Sequence, residues 1–453
     1  MGAGIAGLAA ARALHSKGFR VTIIEARDRI GGRVWTDRSL RGIPLELGAS
    51  WIRGITRNPV IQFARRSKIA TVRTDYYSSP HTFSAEGRRL TPIQMSRLDR
   101  RFHQLMAETA LARERLDQDM SLGAALRRAM STRKLSDSER QAMMHLVHTQ
   151  IEQDYAANVS DLSLWYWDEV EDFSGVHVIL PDGFDQITYK LAEGLEIKLG
   201  HTVKRIDYDD HSVKITTNLA VFSARRAVIT LPLGVLKRGS VRFAPDLPKS
   251  KLAAIKKLRM GFLNKLLLLF DRCFWPRDAE WLEWMGKEVG GWAEFFNLFK
   301  YTGDPVLVGF KVESDARRIE RLPDRMIVAE AMNVLSIICG KPVPSPVGWR
   351  ITRWASDTFT FGAYSYIPPG ASGEDCDLIA EPVGERLFFA GEATARAHYG
   401  TVRGAFLSGR RAALEITDPA SASVLIAAEK ARFAKPKEKE AETNEDGKSN
   451  RGL

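Results

Sequence analysis

Three glycines constrain this chain more than any other feature. In "MGAGIAGLAAARAL", Gly2, Gly4 and Gly7 take GxGxxG spacing at the very start. The run "LAAARALHSKG" follows as a strong helix former stopped by Gly18, and "FRVTIIEA" then reads as a β-branched strand reaching Glu25. This loop–helix–strand–acid order is that of a dinucleotide-binding unit. The glycines allow a tight turn, close approach of backbone to a pyrophosphate, and close helix packing. The helix N-terminus offers free N–H groups to phosphate, and Glu25 is placed to accept hydrogen bonds from ribose hydroxyls. Such a unit normally begins with a strand, whereas only Met1 precedes the glycines here. The expectation is an α/β, Rossmann-like domain lacking its first strand. Either the physiological start then lies upstream, or this form holds its cofactor poorly.

With 453 residues the chain is long enough for two domains, and 44% hydrophobic with 27% charged residues excludes general disorder. The net charge of +11 is spread among acids, as in "KLSDSER" and "ARRIERLPDR", which predicts a diffuse surface and no nucleic-acid partner. No apolar run reaches the roughly 18 residues of a membrane span; "KLLLLF" is strand-length. Cys273, Cys339 and Cys376 show no CxxC or metal-like spacing, so no disulfide framework and no metal site are expected. A reducing, cytoplasmic location follows as an expectation.

Past Glu25, "EARDRIGGRVWT" sets Arg27 and Arg33 around Gly31 and Gly32. Fixed cations there can neutralise a pyrophosphate, and the glycine pair lets the chain pass close to it. This second glycine–arginine element resembles the flavin-dependent amine oxidases, and other segments agree in order. "ELGASWIRG" is similar to the family's loop beside the flavin ring, carrying Gly48, Ala49, Ser50 and Trp51. "HTVKRID" resembles the strand whose Val203 would receive the adenine through its backbone. "MGFLNKLLLLFDRCFWP" looks like the segment with the active-site lysine, here Lys265. "RWASDTFTFGAYSYIPPG" resembles the segment with an active-site tryptophan and tyrosine, here Trp354 and Tyr364. "RLFFAGEAT" and "YGTVRGAFLSGRRAA" resemble the closing FAD motif. By that resemblance Glu392 contacts the ribityl or phosphate end, and Thr401 and Val402 open a helix facing the pyrimidine edge of the ring.

The resemblance implies an FAD-binding domain assembled from 1–75, 195–250 and 376–417. A mixed-sheet substrate domain comes from 76–194 and 251–375, with a helical insertion near 90–150. Residues 418–453, charged from 434 onward, read as a disordered tail. Monoamine oxidases tether their flavin through a cysteine where this chain has Ala363, so FAD is expected to bind non-covalently. They also place a second cage tyrosine where Thr401 stands, and a membrane helix that is missing here. The long coiled-coil insertion and accessory helical domain of lysine-specific histone demethylases find no room. Polyamine oxidases are therefore the nearest resemblance, implying oxidation of a small amine to an imine, with oxygen giving hydrogen peroxide. Arg53 departs from the His or Glu usual near the substrate mouth, and would repel a polycation. The run "WDEVED" (Asp168, Glu169, Glu171, Asp172) reads either as a solvated loop or as a funnel that offsets it. Two alternatives stay open: an amino-acid oxidase or flavin desaturase suited to Arg53, and an FAD-poor, non-catalytic relative.

Overall fold

The computed structural model describes residues 1–75, 80–171, 173–287 and 290–433. The glycine loop runs straight into the helix Ile5–His15, buried along almost its whole length because alanines and glycine leave room for close neighbours. It rests on the late helix Val402–Thr417, with Ala6, Ala412, Ala413 and Ile416 in one apolar cluster. Two helices from opposite ends of the sequence thus share a core.

Two parallel strand pairs flank the glycine loop. Thr22–Ile24 pairs with Glu196–Lys198, and Ala227–Ile229 pairs with Leu387–Phe389. Met1 and Gly2 bridge them: the Gly2 N–H donates to Ile24 O (2.7 Å), and the Thr230 N–H to Met1 O (3.1 Å). The sheet position ahead of the glycines, where the sequence predicts a missing strand, is held by these two residues. Beside them lies a four-stranded sheet in the order Val221–Ala224, Val213–Thr217, Val203–Tyr208 and Arg242–Ala244. Its "YDDHS" hairpin closes with the Asp209 N–H on Ser212 O.

A six-stranded sheet forms the second layer, in the order Gly348–Ile351, Leu263–Leu269, Val306–Val312, Glu294–Asn297, Trp281–Trp284 and Pro80–Phe83. All its pairs are antiparallel except the last. The near-continuous burial of "VLVGFKV" and "LNKLLLL" reflects cover on both faces. The helical insertion appears as Pro92–Arg113, Leu122–Ser131 and Asp137–Val147, the first and third opened by capping boxes at Thr91 and Ser136. Asp137–Val147 continues through a π-turn, His148–Glu152, which delivers Gln153 and Asp154 to the site described below.

Two sequence boundaries shift. Phe184, Ile187 and Leu191 share a core with Ala3, Ile5 and Leu8, so the end of the 76–194 segment lies against the glycine-loop helix. Part of the expected tail is ordered: Pro419–Arg432 is a helix, with Asp418 accepting from the Ser421 N–H at its start. The charged stretch 434–453 lies outside the described residues.

Candidate active site

One cavity of about 730 Å³ runs from the glycine loop to the inner face of the six-stranded sheet. That is the size range of sites for large organic ligands. At one end, backbone forms the wall. A Cβ on Gly7 would fall 1.9 Å from Gly2 O, and one on Gly48 would fall 1.7 Å from Arg33 O, so neither position admits a side chain. The loop is tied to the second glycine pair by the Gly31 N–H on Ala3 O (2.8 Å). Glu25, buried, accepts from the Ala3 N–H (2.7 Å) and the Arg27 N–H (2.9 Å), so it braces the loop as well as facing the cavity. Val203 lines the same end.

The two arginines around the glycine pair are both held by carboxylates. Arg27 pairs with Asp357 (2.7 Å), while Arg33 donates from Nη1 to Glu392 (2.8 Å) and to Ala363 O (2.8 Å). The sequence assigned these cations to a pyrophosphate without their partners, and the pairing corrects the charge count: each site is close to neutral. Glu392 also accepts from Ser365 Oγ (2.5 Å) and the Gly400 N–H (2.9 Å), fixing the turn that leads into Val402–Thr417. Thr401 caps that helix through its Oγ1 on the Gly404 N–H (3.0 Å). The remaining first-turn N–H groups have no intrahelical acceptor and carry the positive end of the helix dipole. Thr401 and Val402 both line the cavity.

Lys265 marks the middle. It is 5% exposed, and its Nζ donates to Gly48 O (2.5 Å), Ser50 Oγ (2.6 Å) and Glu46 O (3.1 Å). Burial lowers its pKa to about 8, with the Glu46 carboxylate opposing. Glu46 is itself raised by burial, so the two titrate as a pair. Trp354, buried, donates from Nε1 to Leu47 O (3.2 Å), and the Tyr364 hydroxyl donates to Gln153 O (2.9 Å). Burial pushes that hydroxyl well above its usual range.

Beyond Lys265 the walls become aromatic. Trp51 stacks on Trp281 (centroids 6.0 Å apart) and meets Phe296 edge-on (4.9 Å), with Phe310 alongside. Ala49 borders the same space. Arg53 pairs with Asp154 (2.5 Å), so its offsetting acid comes from the helical turn just after the π-turn. The run at 168–171 does not supply it. There Asp168 pairs with Arg113, Glu169 with Arg396, and Glu171 with Arg432, while only Val170 lines the cavity. A bare acidic funnel is excluded for these three acids; Asp172 lies outside the described residues.

Sequence reasoning missed Asp154, Trp281, Glu294, Phe310 and Asp357, all close to or lining this space. Only Glu294 carried a usable signal, being an acid in the middle of the apolar strand "AEFFN".

The site fits FAD on its own geometry. A cradle that admits no Cβ at Gly7, Gly31 or Gly48, two helix N-termini and a ring-sized chamber all open into one cavity. The chain matches a family model described as flavin containing amine oxidoreductase over residues 5–417. It is 36% identical to lysine-specific histone demethylase 1 homolog 2 of Arabidopsis thaliana, covering 92% of this chain and 58% of that protein. It is 35% identical to polyamine oxidase 4 of Oryza sativa subsp. japonica, covering 92% and 87%. A solved structure of wild-type putrescine oxidase bound to putrescine shares the fold, with a TM-score of 0.75 at 22% identity over 94% and 98% of the two chains. The chain spans little more than half the length of the demethylase-type relatives it matches. Among the described residues, no helix is long and apolar enough to cross a membrane. With the family model spanning nearly all of the described fold, this chain belongs to the flavin-containing amine oxidoreductases, whose cofactor is FAD.

Proposed function

We propose that the chain oxidises an amine, of the polyamine class, to an imine that water hydrolyses to an aldehyde, with oxygen as the final electron acceptor and hydrogen peroxide as co-product. The observation that carries this reading is the continuity of the cavity. The glycine cradle, Lys265 and the aromatic chamber face one continuous space. Bound FAD supplies the two-electron acceptor. Around it, the Thr401–Val402 helix start would stabilise negative charge on the pyrimidine side. Lys265, whose Nζ is fixed by three acceptors, would hold a proton toward the bound cofactor. Tyr364 and Trp354 present faces that orient a substrate carbon, and the aromatic walls exclude water. The reacting amine must be neutral, so turnover rises with pH through the ionisation of the bound amine. With Ala363 at the tether position, FAD is held without a covalent bond; acid precipitation of the protein should leave all flavin in the supernatant.

The test is a peroxide assay on FAD-loaded protein with putrescine, spermidine, spermine, simple monoamines, amino acids and methyl-lysine peptides. Turnover of a di- or polyamine is the expected result. Turnover of an amino acid alone would overturn the reading. The methyl-lysine peptides test a second reading, which rests on the identity to the demethylase-type relative. Protein that binds no FAD when loaded, and turns over nothing, would establish the non-catalytic alternative.

A further inference from the structure

Past the strand Gly348–Ile351, the chain leaves the six-stranded sheet and reaches across to the glycine cradle. The Gly362 N–H donates to Trp354 O (2.8 Å), so residues 355–361 form a compact loop whose two ends are pinned together. The base is fixed on the sheet side, where the Glu320 carboxylate accepts from the Ala355 N–H (2.8 Å) and the Ser356 N–H (2.9 Å). The loop also carries its own scaffold. The Phe359 N–H donates to the Asp357 carboxylate (2.9 Å), and the Phe361 N–H donates to Asp357 O (2.8 Å). A loop built in this way moves as one piece about its base.

Its outer side is held to the cofactor layer by separable contacts. Asp357 pairs with Arg27, both side chains being mostly buried, and the Arg27 guanidinium lies over the Phe359 ring (5.0 Å). Arg238 lies over the Phe361 ring (5.0 Å), and Thr360 packs on Gly234, where a Cβ would fall 2.2 Å from Thr360 O. Phe361 keeps a left-handed backbone (φ 50°), a conformation that a phenylalanine holds only when its surroundings impose it.

The loop stands at the cradle end of the cavity. The Gly200 N–H donates to Arg27 O (2.9 Å), and Arg242 pairs with Arg205, which brings Arg27 and Ser240 to the Val203 end. Thr358, Lys204 and Ser240 line the cavity and are exposed, so the cavity reaches solvent beside the loop. The opposite way out is narrow for a large guest. There Lys265 is tied to three acceptors, and the rings of Trp51, Trp281 and Phe296 pack beyond it.

We propose that loop 355–361 is a hinged lid at the cradle end through which FAD enters and leaves, with the Arg27–Asp357 pair as its latch. The inference rests on FAD binding and is independent of which amine is oxidised. Closed, the loop supplies Thr358, Phe359, Thr360 and Phe361 to the cavity wall. Opening parts the ion pair, the two cation–ring contacts and the packing of Thr360 on Gly234. The bonds at Glu320 and Gly362 stay, because they belong to the base. Arg238 stands outside the cavity lining among the described residues, so its contact with Phe361 holds the lid without holding the cofactor.

The experiment uses FAD-loaded protein mixed with a large excess of 5-deaza-FAD, whose absorption band is distinct, so that replacement reports the release rate. Thermal unfolding at a series of free FAD concentrations reports affinity separately. Asp357→Asn should speed release at least about tenfold, as expected for loss of a charge-assisted bond. Arg238→Ala should speed it about threefold, as expected for an exposed cation–ring contact. In Arg238→Ala the dependence of Tm on FAD should keep affinity within about twofold of wild type, since a lid changes entry and exit alike. Trp281→Ala widens the other end of the cavity and should leave the release rate unchanged. Release unaltered in both loop variants, or accelerated in Trp281→Ala, would overturn the proposal. So would a loss of affinity in Arg238→Ala equal to its gain in release rate, which would make the loop a fixed part of the binding wall.

Discussion

The two ends of the cavity are built from different materials. The cradle end is backbone: glycines, carbonyls and helix starts, braced by carboxylates that hold Arg27 and Arg33. The chamber end is side chain: an aromatic cluster and buried ionisable groups delivered by widely separated stretches of sequence. At Gly7, Gly31 and Gly48 the backbone site has almost no freedom to vary, since an added Cβ there meets a carbonyl oxygen. A side-chain site can be retuned one residue at a time. Under the proposed function, the first would set which cofactor is held, and the second which substrate.

The sharpest way to break this contrast is at Gly7. Gly7→Ala puts a Cβ against Gly2 O, and purified protein should carry less than a tenth of the wild-type flavin per chain, measured by the absorbance ratio. An unchanged ratio would mean the cradle tolerates side chains after all. Next comes Lys265→Met, which should keep its flavin yet lose about 10²- to 10⁴-fold in turnover, read by stopped-flow on the reductive and oxidative halves. Loss of flavin instead would move Lys265 to the cradle side of the comparison. Glu392→Ala removes the partner of Arg33 and three further bonds, and should cost about 3 kcal/mol in denaturant unfolding, since Arg33 is only partly buried. The smallest effect is a pH slope. Lys265 in the folded chain titrates near pH 8, below its value in the unfolded chain. Between those values the unfolded chain binds more protons, so stability rises with pH there. Wild-type Tm should therefore climb relative to Lys265→Met from pH 8 to 10; a parallel pair of curves would show that the lysine is not desolvated.

Legibility in the sequence divides along the same line. Gly2, Gly4, Gly7 and Glu25 could be read from the residues, because this part of the site leaves its demands at fixed spacings in one short stretch, whereas Thr401 was reached only through the family resemblance. Lys265 was readable only through its flanks. The Arg27–Asp357 and Arg33–Glu392 pairs join residues more than 300 positions apart, and no local pattern announces them. Residues 177–194 read as the end of the substrate segment, yet their apolar face lies on the glycine-loop helix. Periodicity shows that a face is buried without showing against what. Glu294 could have been singled out as an acid in an apolar strand, but the burial, Glu283 and Asp154 that hold its carboxyl above the usual range come together only in the fold.

The contact between Ile5–His15 and Val402–Thr417 has a consequence for how this protein comes into being. On a ribosome adding about 5–20 residues per second, the loop that opens the chain waits roughly 20–80 seconds for the helix that completes it. During that time the cradle has one wall. Until Val402–Thr417 has been made, the cavity lacks the helix start at Thr401 and Val402, so FAD meets a complete site only once that helix has joined the glycine loop. The two halves of the cofactor site are thus separated in time as well as in sequence.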